Sequence, residues 1–165
     1  MQITLEGSRV VTPLVQTPFS ERNGTVSPDG HWLLYEADDS GRFEIYVRPY
    51  PAVNSGRWQV STSGGSRPLW GAAGRELFYV VPTGELMRVA VPPSASRATA
   101  PPEILIKAGY VTNLVGQYGR SYDISPDGKR FVMIKRRGSG EVASAASVTV
   151  VLNWVEELKR LLPLE

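Results

Sequence analysis

Side chains able to do acid–base or nucleophilic chemistry are few and scattered in this 165-residue sequence. It has one histidine, His31, and no cysteine, which excludes thiolate nucleophiles, disulfides and histidine- or thiolate-rich metal centres. The nearest approach to a nucleophile elbow, Gly119-Arg120-Ser121-Tyr122-Asp123, lacks the closing glycine and precedes a strand pattern rather than a strand-to-helix turn. Carboxylates pair at Asp38-Asp39, in a turn-like stretch, and at Glu156-Glu157, on a helical pattern, so both read as solvated surface. Asp38-Asp39-Ser40-Gly41 lacks the length and distal glutamate of a calcium loop, and Ser63-Gly64-Gly65-Ser66 lacks the lysine of a phosphate loop. Asn23-Gly24-Thr25 fits a glycosylation sequon without a secretory context. The expectation is no catalytic residue, no metal and no cofactor.

The elements around these residues repeat. Ser27-Pro28-Asp29-Gly30 leads into Trp32-Leu33-Leu34-Tyr35-Glu36-Ala37, and Ser125-Pro126-Asp127-Gly128 leads into Arg130-Phe131-Val132-Met133. A worn copy, Gly71-Ala72-Ala73-Gly74, leads into Glu76-Leu77-Phe78-Tyr79-Val80-Val81. In such a turn proline presets φ, aspartate bonds nearby backbone donors and glycine accepts the left-handed conformation. The turn glycines are 44 and 54 residues apart, a spacing that suits a bladed repeat. Each turn joins an inner strand to a second strand whose apolar run suits burial on both faces. Phe43-Glu44-Ile45-Tyr46-Val47 and Glu85 to Val91 alternate like half-buried third strands, with Arg57 to Ser61 and Glu103 to Ile106 as outer edges.

The reading is therefore all-β: about three blades of four-stranded antiparallel sheet in a single propeller-type domain over residues 1–165. An orphan hairpin occupies 1–18, and blades span 19–62 and 63–107. An incomplete blade spans 120–152, its third strand at Ser147 to Leu152. A short helix at 153–162 has an N-cap at Asn153, an apolar face at Val155, Leu158, Leu161 and Leu162, and Pro163 at its end. Trp32, Trp58, Trp70 and Trp154 read as packing between blades or under that helix.

The repeated turn and strand resemble the WD40-like (PD40) repeats of TolB-type β-propellers. The tail from Val148 to Lys159 resembles the C-terminus of propeller domains attached to some bacterial serine/threonine protein kinases. The kinase motifs themselves are missing from this sequence, so kinase activity does not transfer. Propellers close with four or more blades. The strand inventory, with a spare N-terminal hairpin and a last blade lacking its outer strand, suggests that two chains close a six-bladed ring, each N-terminal hairpin completing the other's last blade; the competing expectation is a remnant of a longer propeller whose C-terminal helix caps one end.

In a propeller the starts of the inner strands line one mouth of the central channel, which here places Arg22, Asn23, Arg67, Arg120 and Tyr122 together. Such a basic mouth suits an acidic peptide or an anionic group. The expected function is a non-enzymatic binding or scaffold module for a protein or peptide. The alternatives are a small-ligand sensory domain, or a hydrolase or lyase with its site in the channel. A net charge of +2 without a basic stripe gives no support to nucleic-acid binding. No apolar run approaches the ~18 residues of a membrane span, and no signal peptide opens the sequence. The expected compartment is the cytoplasm by default, or an extracytoplasmic one if the chain is part of a longer protein.

Overall fold

Strands with two apolar faces need cover on both sides, and the fold supplies it by stacking sheets. The computed structural model describes residues 1–91, 100–110 and 119–135. Those residues are all-β. Strands β3 (Glu21–Val26), β4 (Trp32–Ala37), β5 (Glu44–Pro49) and β6 (Trp58–Gln59) form one four-stranded antiparallel meander. Strands β7 (Ser66–Trp70), β8 (Glu76–Val80), β9 (Leu86–Ala90) and β10 (Glu103–Ile106) form the second. Strands β11 (Tyr122–Ile124) and β12 (Phe131–Met133) pair as a hairpin, extended by a bridge between Tyr110 and Lys135. Among the described residues, the N-terminal strands β1 (Gln2–Ile3) and β2 (Val11–Thr12) pair only with each other. The expected third strand and helix of the last unit, at 147–152 and 153–162, lie outside the described residues, as do Trp154 and the Glu156-Glu157 pair.

Leu34, Ile45, Val47 and Val60 of the first sheet pack on Trp70, Leu77, Tyr79 and Val89 of the second. On the far face of the second sheet, Leu69, Phe78, Val80 and Leu86 pack with Tyr122, Ile124, Phe131 and Met133 of the third unit. The outer face of the first sheet carries Leu33, Tyr35, Ala37, Tyr46 and Val53, partly covered by Leu14, Val15 and Tyr50. Each fully buried leucine or isoleucine in these layers contributes about 2 kcal/mol. The sheets stack in series, as blades do, without closing a ring among the described residues.

The expected half-buried third strand of the first unit is instead buried from Glu44 to Val47. Ile45 and Val47 are taken by the joint with the second sheet and Tyr46 by the outer cluster. Glu44 is satisfied by the Ser61 hydroxyl and by the Gly64 N–H at 2.9 Å.

The three turns share one backbone design. In each, the fourth residue's N–H donates to the first residue's carbonyl at 2.8–2.9 Å, and glycine sits at φ of 66° to 75°. In the outer two copies the aspartate accepts from the serine hydroxyl and from the N–H two residues on, at 3.1 Å. The middle copy keeps the backbone bonds and lacks the side-chain ones. Its Gly71 has a packing reason, because a Cβ there would meet the Glu76 Cγ at 2.7 Å.

Candidate functional site

The inner strands β3 and β7 begin at the same end of their sheets, and both open with a β-bulge. At each bulge a non-glycine residue takes a left-handed conformation, Asn23 at φ 53° and Arg67 at φ 55°. The two stand 44 residues apart, at the repeat spacing. Asparagine tolerates this region, whereas an arginine there is strained and needs surrounding bonds to hold it.

Glu36, fully buried on β4, supplies them. One carboxylate oxygen accepts from Arg22 Nε and Asn23 Nδ2, each at 2.6 Å, and the other accepts from the backbone N–H of Arg67 at 2.9 Å. One carboxylate thus ties both inner strands and both sheets together. Arg67 also donates from Nε to the Gly119 carbonyl at 3.0 Å and from Nη1 to Ser66 Oγ at 3.3 Å. Its own carbonyl accepts from the buried Tyr122 hydroxyl at 2.6 Å, and Arg120 Nη1 donates to the Pro68 carbonyl at 3.1 Å. Burial lowers the Arg67 pKa from the usual guanidinium value, with Glu36 pulling the other way. Burial also holds the Tyr122 phenol well above its ordinary pKa, so it stays a neutral donor.

Of the five residues expected at the channel mouth, Asn23, Arg120 and Tyr122 line one cleft of about 610 Å³ between β3 and β11. Gly24, Ser121, Asp123, Val132 and Ile134 complete its wall, and Val132 and Ile134 are 71% and 52% exposed. Arg22 and Arg67 do not line it. They border a smaller cavity of about 280 Å³ at the joint of the first two sheets, alongside Arg42 and Phe43. The residues expected at a single basic mouth therefore line more than one cavity, and Arg22 borders a further one beside Leu14, Leu33 and Tyr35.

The remaining chemistry-bearing residues stand elsewhere. His31 is exposed at the turn end of the first sheet, away from the inner-strand starts. Asp39 forms a bidentate pair with Arg57 at 2.6 and 2.9 Å, and the Arg57 guanidinium lies 3.6 Å over the Tyr46 ring. That pairing holds the Asp39 carboxyl below its ordinary pKa. Asp38 accepts the Ser20 N–H at 2.9 Å. Among the described residues no three His, Cys, Asp or Glu side chains converge as a metal site, and no helix is long and apolar enough to cross a membrane.

Glu36 and Glu44 did not figure among the expected site residues. The available signal was a carboxylate placed inside an otherwise apolar strand run, which must find partners when buried. No protein-family model matches this sequence, and no curated protein is significantly similar to it.

Proposed function

We propose that this chain is a non-enzymatic binding module built from TolB-like, WD40-like propeller blades, and that it holds a peptide or protein segment in the cleft between β3 and β11. The observation that carries this is the composition of the cleft wall. It combines exposed apolar side chains, Val132 and Ile134, with donors at Asn23 and Arg120 and a rigid Tyr122 behind them. Apolar surface with a few fixed polar groups is the chemistry of a recognition cleft. Among the described residues the β3 strand pairs on one side only, with β4, so an extended segment entering the cleft meets strand edge as well as side chains. The test is a displayed peptide library selected on the full chain, with affinities of the recovered peptides measured by fluorescence anisotropy. Val132→Asp and Arg120→Glu change exposed residues on the cleft wall and are expected to weaken binding at least about tenfold. Recovered peptides that bind both variants as tightly as the original chain would refute the assignment.

A second copy of the chain is the further partner we propose. Among the described residues the β1–β2 hairpin joins no other sheet, and Ile3, Leu5, Val10 and Val11 on it are all at least half exposed. Light scattering on the chain is expected to give a dimer, weakened by the double substitution Leu5→Asp and Val11→Asp. A monomer at micromolar concentration would remove this part of the proposal.

A further inference from the structure

Aligned on their turn glycines, Gly30, Gly74 and Gly128, the three units place Val132 and Ile134 at the positions of Phe78 and Val80 in the second and of Leu34 and Glu36 in the first. In the first two units this face is covered. Leu34 packs with Leu77 and Tyr79 of the next sheet. Phe78 and Val80 pack with Phe131 and Met133 of the third unit, the Phe78 and Phe131 rings meeting edge to face at 4.9 Å. In both joints the cover is a strand presenting two large apolar side chains two residues apart, the spacing that puts them on one face. The third unit repeats the face without such a cover among the described residues: Val132 and Ile134 are 71% and 52% exposed on the cleft wall.

This face is continuous with the second joint. Phe131 and Met133 alternate with Val132 and Ile134 along β12 and the residue after it, so one side of the strand is packed and the other open. Tyr122 belongs both to the packed cluster and to the cleft wall, its hydroxyl fixed on the Arg67 carbonyl at 2.6 Å. Asp123 stands where the second unit has Leu69, which puts an exposed carboxylate on the same wall as Arg120. With one charge of each sign, the wall favours neither an acidic nor a basic segment, and the apolar pair carries the selection. An exposed apolar pair of this spacing on the chain itself, Ile3 and Leu5, lacks the extended form, because β1 ends at Ile3.

We infer that the cleft selects an extended segment of another protein that presents two large apolar side chains two residues apart, seated on Val132 and Ile134 as Phe131 and Met133 are seated on Phe78 and Val80. The inference rests on the cleft being a peptide site. Its test uses the full chain and two fluorescein-labelled isomers, acetyl-Thr-Leu-Thr-Tyr-Thr-Lys amide and acetyl-Thr-Thr-Leu-Tyr-Thr-Lys amide, read by anisotropy. The first is expected to bind at least about tenfold more tightly, because in the second one apolar side chain faces away from the wall. Val132→Thr and Ile134→Thr together, both exposed changes, are expected to weaken the first isomer by a similar factor and to erase the difference between the two. Ile104→Thr, an exposed change on β10, is expected to leave binding unchanged. Equal binding of the two isomers to the native chain, or equal loss from Ile104→Thr, would overturn the inference. So would tighter binding of labelled acetyl-Gln-Ile-Thr-Leu-Glu amide, which copies residues 2–6 and would assign the face to a second copy of the chain. Library-selected peptides that depend on Val132 but lack an apolar pair of this spacing would overturn the selection rule while leaving the cleft reading standing. Failure of every peptide to bind would overturn both.

Discussion

Replacing Glu36 by glutamine changes no volume, so its cost measures the carboxylate's bonds. In the native chain both oxygens accept, from Arg22 Nε and Asn23 Nδ2 on one and from the Arg67 N–H on the other. An amide keeps one accepting oxygen and presents an NH₂ to the other side, where a donor already waits. At least one bond is therefore lost to a donor–donor contact, and the pairing with Arg22 loses its charge. A hydrogen bond to a charged group is worth about 1.5–3 kcal/mol net, and a buried donor left unsatisfied costs about 1–3 kcal/mol more. Glu36→Gln should accordingly destabilise the chain by about 3–5 kcal/mol, in the range seen for breaking a buried pair. Glu76→Gln is the control, because Glu76 pairs with Arg88 at 2.5 Å with both side chains partly exposed, and such pairs are worth less than about 1 kcal/mol. Urea unfolding monitored by tryptophan fluorescence gives both numbers from the midpoint at constant slope. The reasoning fails if Glu36→Gln costs no more than Glu76→Gln.

The turns, the joint and the surface pairs have consequences of their own. Ala73 occupies the position of Asp29 and Asp127, so Ala73→Asp should gain a bond to the Arg75 N–H and stabilise by about 0.5–1 kcal/mol. Gly71→Ser, which also moves toward the full turn motif, should instead destabilise, because its Cβ meets Glu76 Cγ at 2.7 Å; thermal unfolding separates the two. Gly65→Ala puts a Cβ 2.7 Å from Ile45 Cγ1 and 2.8 Å from Ser61 Oγ, and overpacking of this joint should cost about 1–3 kcal/mol in the same assay. The Asp39 carboxyl is held below its ordinary value of 3.8, chiefly by Arg57. Its contribution to stability is therefore present above that value and fades as pH falls through the lower folded one; Asp39→Asn should remove that part of the acid sensitivity in a pH series of unfolding midpoints. Tyr122 is shifted the other way, by burial, so its contribution is complete below its ordinary value of 10.0 and lost as pH rises beyond it. Tyr122→Phe should cost about 1 kcal/mol at neutral pH through the lost bond to the Arg67 carbonyl, and unfolding midpoints above pH 10 should show a smaller gap.

What the sequence disclosed and what it withheld divide along the range of the interactions. The turns were readable because their requirements are local. Serine, proline, aspartate and glycine act within a few residues of one another, and the backbone bonds they favour recur in all three copies. The apolar runs of β4 and β8 were readable for the same reason, since burial on two faces leaves no room for alternation. The Glu36 network was not, because its third partner, Arg67, is 31 residues away and lies in another sheet. Nothing in the residues near Arg67 announces that its backbone will be left-handed or that its N–H will point at a carboxylate.

That distance also explains how the mouth differs from the expectation. Fold analogy placed five polar residues around a single opening on the basis of strand starts alone. The strand starts do come together, but the bulges at Asn23 and Arg67 shift the register of each inner strand, and Glu36 then claims Arg22, Asn23 and the Arg67 backbone at once. At the next joint the residue 44 positions after Glu36 is Val80, which packs in the apolar cluster with Tyr122. The second joint therefore has no carboxylate in that position, and it is held instead by Arg67 on Gly119, Arg120 on Pro68 and Tyr122 on Arg67. One repeat position, filled by glutamate in the first unit and valine in the second, thus ties the first joint through a buried carboxylate and places an apolar side chain in the packed cluster of the second. The cleft takes its wall from β3 and the third unit, and Tyr122 belongs both to that wall and to the packed second joint, so the side chain that fixes the joint also fixes one side of the cleft.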